Sequence, residues 1–396
     1  MTSARETAHA GRRRYATWTA AAAVLATVVL CASARAEEPY HYYFGNTHAH
    51  SQNSDGKELA SEHFRLAKAA GYDFYAITDH ALAKYPNFTP ESYEETKRAA
   101  DQATDKTFVA IAGFEFSEND GPGGKGHLNA LNTASYLDAT GPKVNLPIFY
   151  DWLVKNHTPT VAASFNHSGD GSYNGFDYLT PERRDEITMF EVINSGKLHY
   201  GSYLVALNKG WRVAPIAGND SHGTWRIVPH KYRTGVLAPS LMRDNLMQAM
   251  RARRVYCTWD KNLKLSFTAN GRIMGSVLQD PASLAFSITA SDPDTGAPDD
   301  RITKIEIVGD NGELVGSKEF SAHSVAWNAT YAPRYKCYFV KVYTADKADG
   351  PAAYAEKKAG KAAADAPPAG SPVRPPDIGD SPTAYSAPVW IEKSKN

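Results

Sequence analysis

From Tyr40 to about Ala217, short apolar, β-branched or aromatic runs alternate with longer amphipathic stretches. The runs 41–44, 74–78, 108–114, 128–131, 161–165, 187–192 and 213–217 read as strands, because they are brief and bounded by turn residues. Helical spacing of apolar positions predicts helices over 57–70, 90–103, 147–155, 181–185, 198–209 and 241–253. Gly71 and Gly210 supply helix stops, and Thr89-Pro90 is the expected order of cap and first helical residue. Strand, helix, strand, repeated, predicts an α/β class with parallel pairing.

After about residue 262 the pattern changes. Segments 263–268, 284–289, 302–308, 313–316, 325–328 and 337–344 read as short strands separated by Asn270-Gly271, Asp292-Pro293 and Asp310-Asn311-Gly312. That spacing predicts a small C-terminal β-sandwich over 263–396. Residues 345–383 are rich in Ala, Pro, Lys, Asp and Gly and have almost no large apolar side chains, so they are expected to form a disordered insertion. Residues 387–392 would return to the sandwich as its last strand.

The N-terminus reads as an address. Gly11 to Tyr15 includes three consecutive arginines, residues 16–34 are uncharged and rich in Ala, Val and Leu, and Ala34-Arg35-Ala36 presents small residues where a signal peptidase cuts. Residues 1–36 are therefore expected to be a signal peptide, with residues 37–262 forming the first folded domain of a periplasmic or secreted protein. Arg12-Arg13 ahead of Tyr15 resembles a twin-arginine signal, and a plain Sec signal reads equally well. The whole chain carries 43 basic and 43 acidic residues; without residues 1–36 the balance is net −4. That removes the electrostatic signature of a nucleic-acid partner, and no stable membrane insertion is expected after cleavage. Cys257 and Cys337 would remain, read as two buried free thiols in preference to a disulfide.

The chemistry sits where the strands end. The first leads into His48-Ala49-His50, the second into Asp79-His80 and the third into Glu115. The fourth is entered through His127, the fifth leads into Asn166-His167, the sixth holds Glu191 and the seventh leads into Asn219-Asp220-Ser221-His222. In a parallel β/α barrel, side chains at the C-terminal strand ends converge on one mouth. One lone histidine is usually a satisfied core or surface residue; seven segments repeating the pattern are not explained that way. Alternate residues of an extended segment point the same way, so His48 and His50 can reach one ion. Imidazole and carboxylate donors without a placed thiolate suit Zn, Mn or Fe. Asp79, Asn166, Glu191 and Asn219, and also Ser168 and Ser221, are expected to orient ligands by hydrogen bonds.

His48-Ala49-His50, Asp55-Gly56, Ile77-Thr78-Asp79-His80, Gly113-Phe114-Glu115, His167 and Asp220-Ser221-His222 resemble the motifs of the PHP (polymerase and histidinol phosphatase) superfamily of metal-dependent hydrolases. Spacing and the following β-domain are similar to its CehA/McbA-type branch. The resemblance covers roughly residues 40–262. It implies a distorted seven-stranded β/α barrel with two or three divalent metal ions at its C-terminal face. One ion would take His48, His50, Glu115 and Asp220; a second would share Glu115 and add His127 and His167; a third would take Asp55, His80 and His222. One position departs from the superfamily pattern, in which Pro commonly follows the fifth-strand histidine: here Ser168 follows His167.

The leading expectation is an exported metal-dependent phosphoesterase whose nucleophile is a metal-bridging hydroxide, with Glu115 and Asp220 at the reacting centre. The segment after His222 carries Arg226, His230, Lys231 and Arg233, and Arg226 and Arg233 are the candidates to bind an anionic small-molecule substrate. Trp225 and Tyr232 could supply an apolar wall. The glycine-rich stretch 121–126, with Lys125, reads as an edge leading to His127. A carboxylester or carbamate hydrolase on the same site is the alternative within enzymes. A non-catalytic module binding a glycan or protein is the alternative outside them, and a polymerase-associated exonuclease fits least.

Overall fold

The computed structural model describes residues 40–118, 125–141, 143–169, 171–227, 231–345 and 381–394, with the side chain of Arg226 left out. The expected signal segment 1–36, nearly all of the expected insertion at 345–383, Gly121–Gly124 and His230 lie outside the described residues.

The N-terminal elements follow the sequence pattern closely. They are β1 (His41–Asn46), α1 (Ala60–Ala69), β2 (Phe74–His80), α2 (Pro90–Ala103), β3 (Val109–Glu118), β4 (Gly126–Leu131), α3 (Leu146–Lys155), β5 (Ala162–Asn166), α4 (Pro181–Glu186), β6 (Ile187–Asn194), a short β7 (Lys197–Leu198), α5 (Tyr200–Lys209) and β8 (Ala214–Gly218). The helix starts are set by side chains. Thr89 and Ser92 form a reciprocal capping box at α2, with Pro90 in its first turn. Asn145 and Thr180 cap α3 and α4, again with proline just inside. Gly210, at φ 99°, ends α5.

The sheet is mixed. β1–β2–β3 and β5–β6–β8 are parallel runs, but β4 lies antiparallel between β3 and β5. That reversal explains His127: it begins its strand, yet its register opposite Ser117 and Asn166 puts it level with the C-terminal ends of the neighbours.

Among the described strands no barrel closes, contrary to the expectation. β8 pairs with β6 alone. The place of its missing neighbour is taken by β9 (Arg233–Ala238), which pairs antiparallel with β1. At the gap the Thr234 hydroxyl accepts the Ala217 N–H at 2.9 Å and donates to the Ala217 carbonyl at 2.9 Å, so one side chain replaces a ladder rung. At the strand tips Ala49 bridges Ser221, through His50 N–H to Ser221 O at 2.8 Å and Asp220 N–H to His48 O at 2.9 Å.

Beyond β9 come α6 (Arg243–Arg251), β10 (Val255–Thr258), β11 (Lys264–Ala269), β12 (Arg272–Ile273), β13 (Val277–Gln279), β14 (Leu284–Ser291), β15 (Ile302–Gly309), β16 (Leu314–Ala322), β17 (Ser324–Tyr331), β18 (Cys337–Thr344), β19 (Ala384–Ser386) and β20 (Val389–Glu392). β12-β11-β14-β17 form a separate four-stranded sheet. The remaining C-terminal strands continue the large sheet through β10–β19–β18, with β15 and β16 attached. One apolar cluster joins Val236 of β9 and Met247 of α6 to Leu265, Phe286, Ile305 and Val340 of β11, β14, β15 and β18. The described residues from Tyr40 onward form one compact unit. Cys257 and Cys337 are buried free thiols. Among the described residues no helix is long and apolar enough to cross a membrane.

Candidate metal centre

All nine donors expected from the sequence meet at the strand tips. Glu115, fully buried on β3, lies at the middle. Its Oε1 is 3.3 Å from His48 Nε2, 3.4 Å from His127 Nδ1 and 3.2 Å from His167 Nε2. Its Oε2 is 2.8 Å from His80 Nδ1 and 3.7 Å from His50 Nε2. On one side, His48 Nε2, His50 Nε2 and Asp220 Oδ1 stand 3.1, 3.1 and 3.5 Å apart. On the other, Asp55 approaches His222 Nε2 at 3.3 Å, His80 Nε2 at 3.5 Å and His50 Nδ1 at 3.8 Å.

These donors fall into four overlapping groups: His50, Asp55, His80 and His222; His48, His50 and Asp220; His48, Glu115 and His167; His80, Glu115 and His127. The partition is more shared than the one implied by the resemblance. His50 also joins the Asp55 group, and His80 also reaches Glu115.

The spacing fits divalent cations. An ion ~2.0–2.1 Å from each of several nitrogen and oxygen donors holds those donors roughly 3–3.5 Å apart, which is the separation seen for His48, His50 and Asp220. The carboxylates draw positive charge into the pocket. Burial opposes a charge on His48, yet Glu191, Glu115 and Asp220 outweigh it and hold its pKa well above the ordinary value. Burial, together with neighbouring His80, pushes His50 down to about 3, leaving it neutral as a ligand must be. Burial would raise Glu115 and Asp220, but the surrounding imidazoles hold both carboxyls below the usual range. His50 is stacked between His80 and His222, with ring centroids at 4.3 and 4.4 Å.

Two donors sit on strained backbone. His167 has φ 27° and Asp220 φ 47°, a region that costs a non-glycine residue ~1–3 kcal/mol. Each is pinned: the His167 N–H donates to Glu191 Oε2 at 3.0 Å and the Asp220 N–H donates to His48 O.

The supporting residues divide unevenly. Glu191 accepts from His48 Nδ1 at 2.8 Å and from Asn194 Nδ2 at 2.9 Å, which turns the Nε2 of His48 toward the other donors. Gly218 makes room for it, since a Cβ there would lie 1.9 Å from Glu191 Oε1. Asn166 Nδ2 donates to Glu115 Oε1 at 2.8 Å. Asp79 instead braces the loop, accepting from Ser51 N–H, Ser51 Oγ and Ser54 Oγ at 2.7 Å each. Asn219 faces Tyr72 and Asn46. Ser168 and Ser221 serve through their carbonyls, to His199 Nδ1 and to the His50 N–H.

Arg233 requires a correction. It begins β9, is buried, packs its guanidinium 3.6 Å over the Tyr72 ring and donates to Tyr232 O at 2.9 Å. These contacts lie within the sheet. Tyr232 is likewise buried, on Trp259, so of the expected wall only Trp225 is exposed. For Arg226 the described part is the backbone, in a short 3₁₀ turn after His222.

Sequence reasoning missed three contributors. Ser117 Oγ lies 2.6 Å from His80 Nδ1; its position two residues after Glu115 on the same strand was the available signal. The Tyr85 ring stacks on His80 at 5.2 Å and its hydroxyl donates to Asp55 Oδ2 at 3.1 Å. Asn46 Nδ2 donates to His48 O at 2.8 Å. A cavity of about 150 Å³ opens beside His127 and His167, lined also by Glu118, Lys125, Asn166 and Tyr173.

No protein-family model and no curated protein matches the chain. Several solved structures are similar to it, three of them as follows. A two-domain protein from Bacteroides vulgatus containing a predicted PHP-like metal-dependent phosphoesterase is 17% identical with TM-score 0.44, covering 77% of this chain and 95% of that one. A protein from Bifidobacterium adolescentis provisionally assigned as a metal-dependent phosphoesterase is 17% identical with TM-score 0.28, covering 46% and 88%. An amidohydrolase from Chromobacterium violaceum, with sulfate bound and no metal, is 14% identical with TM-score 0.32, covering 45% and 87%. Likeness at this distance assigns no activity, so the donors themselves must supply the functional reading.

Proposed function

We propose that the chain is an exported metal-dependent hydrolase of the PHP type, acting on a phosphoester. The observation that carries the proposal is the mutual spacing of His48 Nε2, His50 Nε2 and Asp220 Oδ1, with Glu115 reaching five imidazoles from their midst. His48, His50 and Asp220 would hold one cation. Glu115 with His48, His167, His80 and His127 would hold the shared middle of the centre, and Asp55, His80 and His222, with His50, the outer side. Divalent cations bound there would supply Lewis acidity and an activated water near neutral pH.

The chain's own residues do the rest. Glu191 fixes the tautomer and direction of His48, Asn166 aims Glu115, and Ser117 and Tyr85 hold His80 between them. The cavity beside His127 is the size of a phosphoryl group with a small substituent, and Lys125 on its rim supplies positive charge to an anionic oxygen. Export rests on the N-terminal arginines, apolar run and Ala34-Arg35-Ala36.

A second reading, a carboxylester or carbamate hydrolase, is favoured by one observation: Arg233 is buried in the sheet, which removes an expected anion contact. A substrate panel of phosphomonoesters, phosphodiesters and carboxylesters on the metal-loaded protein separates the two. Lys125→Ala should weaken phosphoester turnover about tenfold through KM and leave neutral esters unchanged. Equal loss on both classes would reject the phosphoester reading.

A further inference from the structure

Four successive residues after β5, Tyr173 to Phe176, have φ of 55°, 51°, 63° and 65°. Left-handed backbone is visited by single residues, glycine above all, and is unfavourable for tyrosine, asparagine and phenylalanine. Such a run persists only where its surroundings over-determine it. Here they do. The Tyr173 N–H donates to Lys125 O at 2.7 Å, and the Trp211 indole N–H donates to Phe176 O at 2.9 Å. The Tyr173 ring packs on Phe165 with centroids at 4.7 Å. Gly126 leaves space for that ring, since a Cβ there would lie 2.3 Å from Tyr173 Cε1.

What the strained turn delivers is one hydroxyl. Tyr173 is fully buried. Its hydroxyl faces two acceptors, His127 O at 2.6 Å and Asn166 O at 2.7 Å, and itself accepts the Asn166 N–H at 3.0 Å. His127 and Asn166 stand directly opposite each other on β4 and β5. A single phenol therefore ties together the strand that carries His127 and the strand that ends at His167. Those two imidazoles lie 3.4 and 3.2 Å from Glu115 Oε1, with ring centroids 5.0 Å apart. The Asn166 side chain donates to the same carboxylate oxygen at 2.8 Å.

We propose that Tyr173 is a positioning residue for the part of the metal centre that His127 and His167 supply, its hydroxyl fixing how far apart β4 and β5 hold the two imidazoles beside Glu115. The proposal rests on the metal-dependent reading of the centre and adds to it a residue that carries no donor. Strain in the turn has a use on this account: it turns the Tyr173 hydroxyl onto the main chain beneath the donors. His50, Asp55 and His222 stand on other segments, so the cation they would hold does not depend on Tyr173.

The test compares Tyr173→Phe with Tyr203→Phe in the full chain. Each removes one fully buried hydroxyl, and that of Tyr203 donates to Val213 O at 3.2 Å, just before β8. Zinc affinities are measured by competition with a chromogenic chelator, and folding by Tm. Tyr173→Phe should weaken one zinc ion by about tenfold and leave the tightest ion unchanged. Tyr203→Phe should lower the Tm and leave every zinc affinity unchanged. If Tyr173→Phe does not fold, Gly126→Ala displaces the ring without removing the hydroxyl and should weaken the same ion. Unchanged affinities in folded Tyr173→Phe, or an equal loss in Tyr203→Phe, would overturn the proposal and leave the metal-dependent reading in place. A parent chain that binds no zinc would overturn both.

Discussion

The strands beneath the metal centre and the strands of the four-stranded sheet are built on different rules. Every residue of β2, β3 and β6 is buried, so these strands carry no exposed face at all. β14 alternates, buried and exposed, along almost its whole length. In these strands the chemistry lies toward the C-terminal end: His80 and Asn194 are the last residues of β2 and β6, and Glu115 and Glu191 lie in the second halves of β3 and β6. A half-covered strand such as β14 places Ser287 and Thr289 on its open face, and their position carries no chemistry. Buried polar groups therefore mark the working end of the first kind of strand and would be a fault in the second.

That contrast can be broken experimentally. The largest effect belongs to the tips: Glu115→Ala should abolish hydrolysis on the substrate panel while the protein still unfolds cooperatively in urea. Persistent turnover would place the chemistry elsewhere. In the four-stranded sheet the expectation reverses. Phe286→Ala on β14 should cost about 3–5 kcal/mol by urea unfolding, with kcat per folded molecule unchanged. Loss of activity in the folded fraction would show that the two regions are not separable.

His63 sharpens the comparison from a third position. It is buried in α1, its ring nitrogens lack hydrogen-bond partners, and the nearest carboxylate oxygen, of Glu58, is 3.8 Å away. Burial pushes its pKa from 6.5 down to about 4. The unfolded chain therefore binds a proton near pH 6.5 that the fold refuses until about pH 4. Stability is complete above that upper value and falls through the interval, by up to about 3 kcal/mol. His63→Leu should flatten this acid slope in urea titrations between pH 7 and 4; an unchanged slope would assign it to other groups. The smallest of these effects concerns orientation alone. Glu191→Gln keeps an acceptor for His48 Nδ1 but loses the charge, and should weaken metal affinity roughly 10- to 100-fold. An unaltered affinity by competitive chelator titration would reduce Glu191 to a packing role.

Much of this was legible before the structure. The seven N-terminal strands fall within a few residues of the apolar runs, because fully buried strands write themselves as unbroken apolar segments. The donors stood out because their place, just past each run, repeats. What failed was topology and anything dependent on it. β9 was hidden inside what read as a basic loop, since Lys231-Tyr232-Arg233 looks solvated although Val236, Leu237 and Ala238 follow it. Arg233 escapes solvent by lying on the Tyr72 ring, a tertiary event with no local signature. The open seam bridged by Thr234 and the reversed β4 are equally non-local. The C-terminal strands were located well by their alternation, but alternation does not say which sheet a strand joins, so the continuation of the large sheet through β10 and β19 could not be read.

The central claim is that six imidazoles and their carboxylates form one shared centre through Glu115. Elemental analysis of the purified chain for zinc, manganese and iron, beside its Glu115→Ala variant, tests it most directly. The account predicts two or more of these ions per chain, falling to one or none in the variant. Absence of all three metals from a protein reconstituted with them, or equal content in the two proteins, would contradict it.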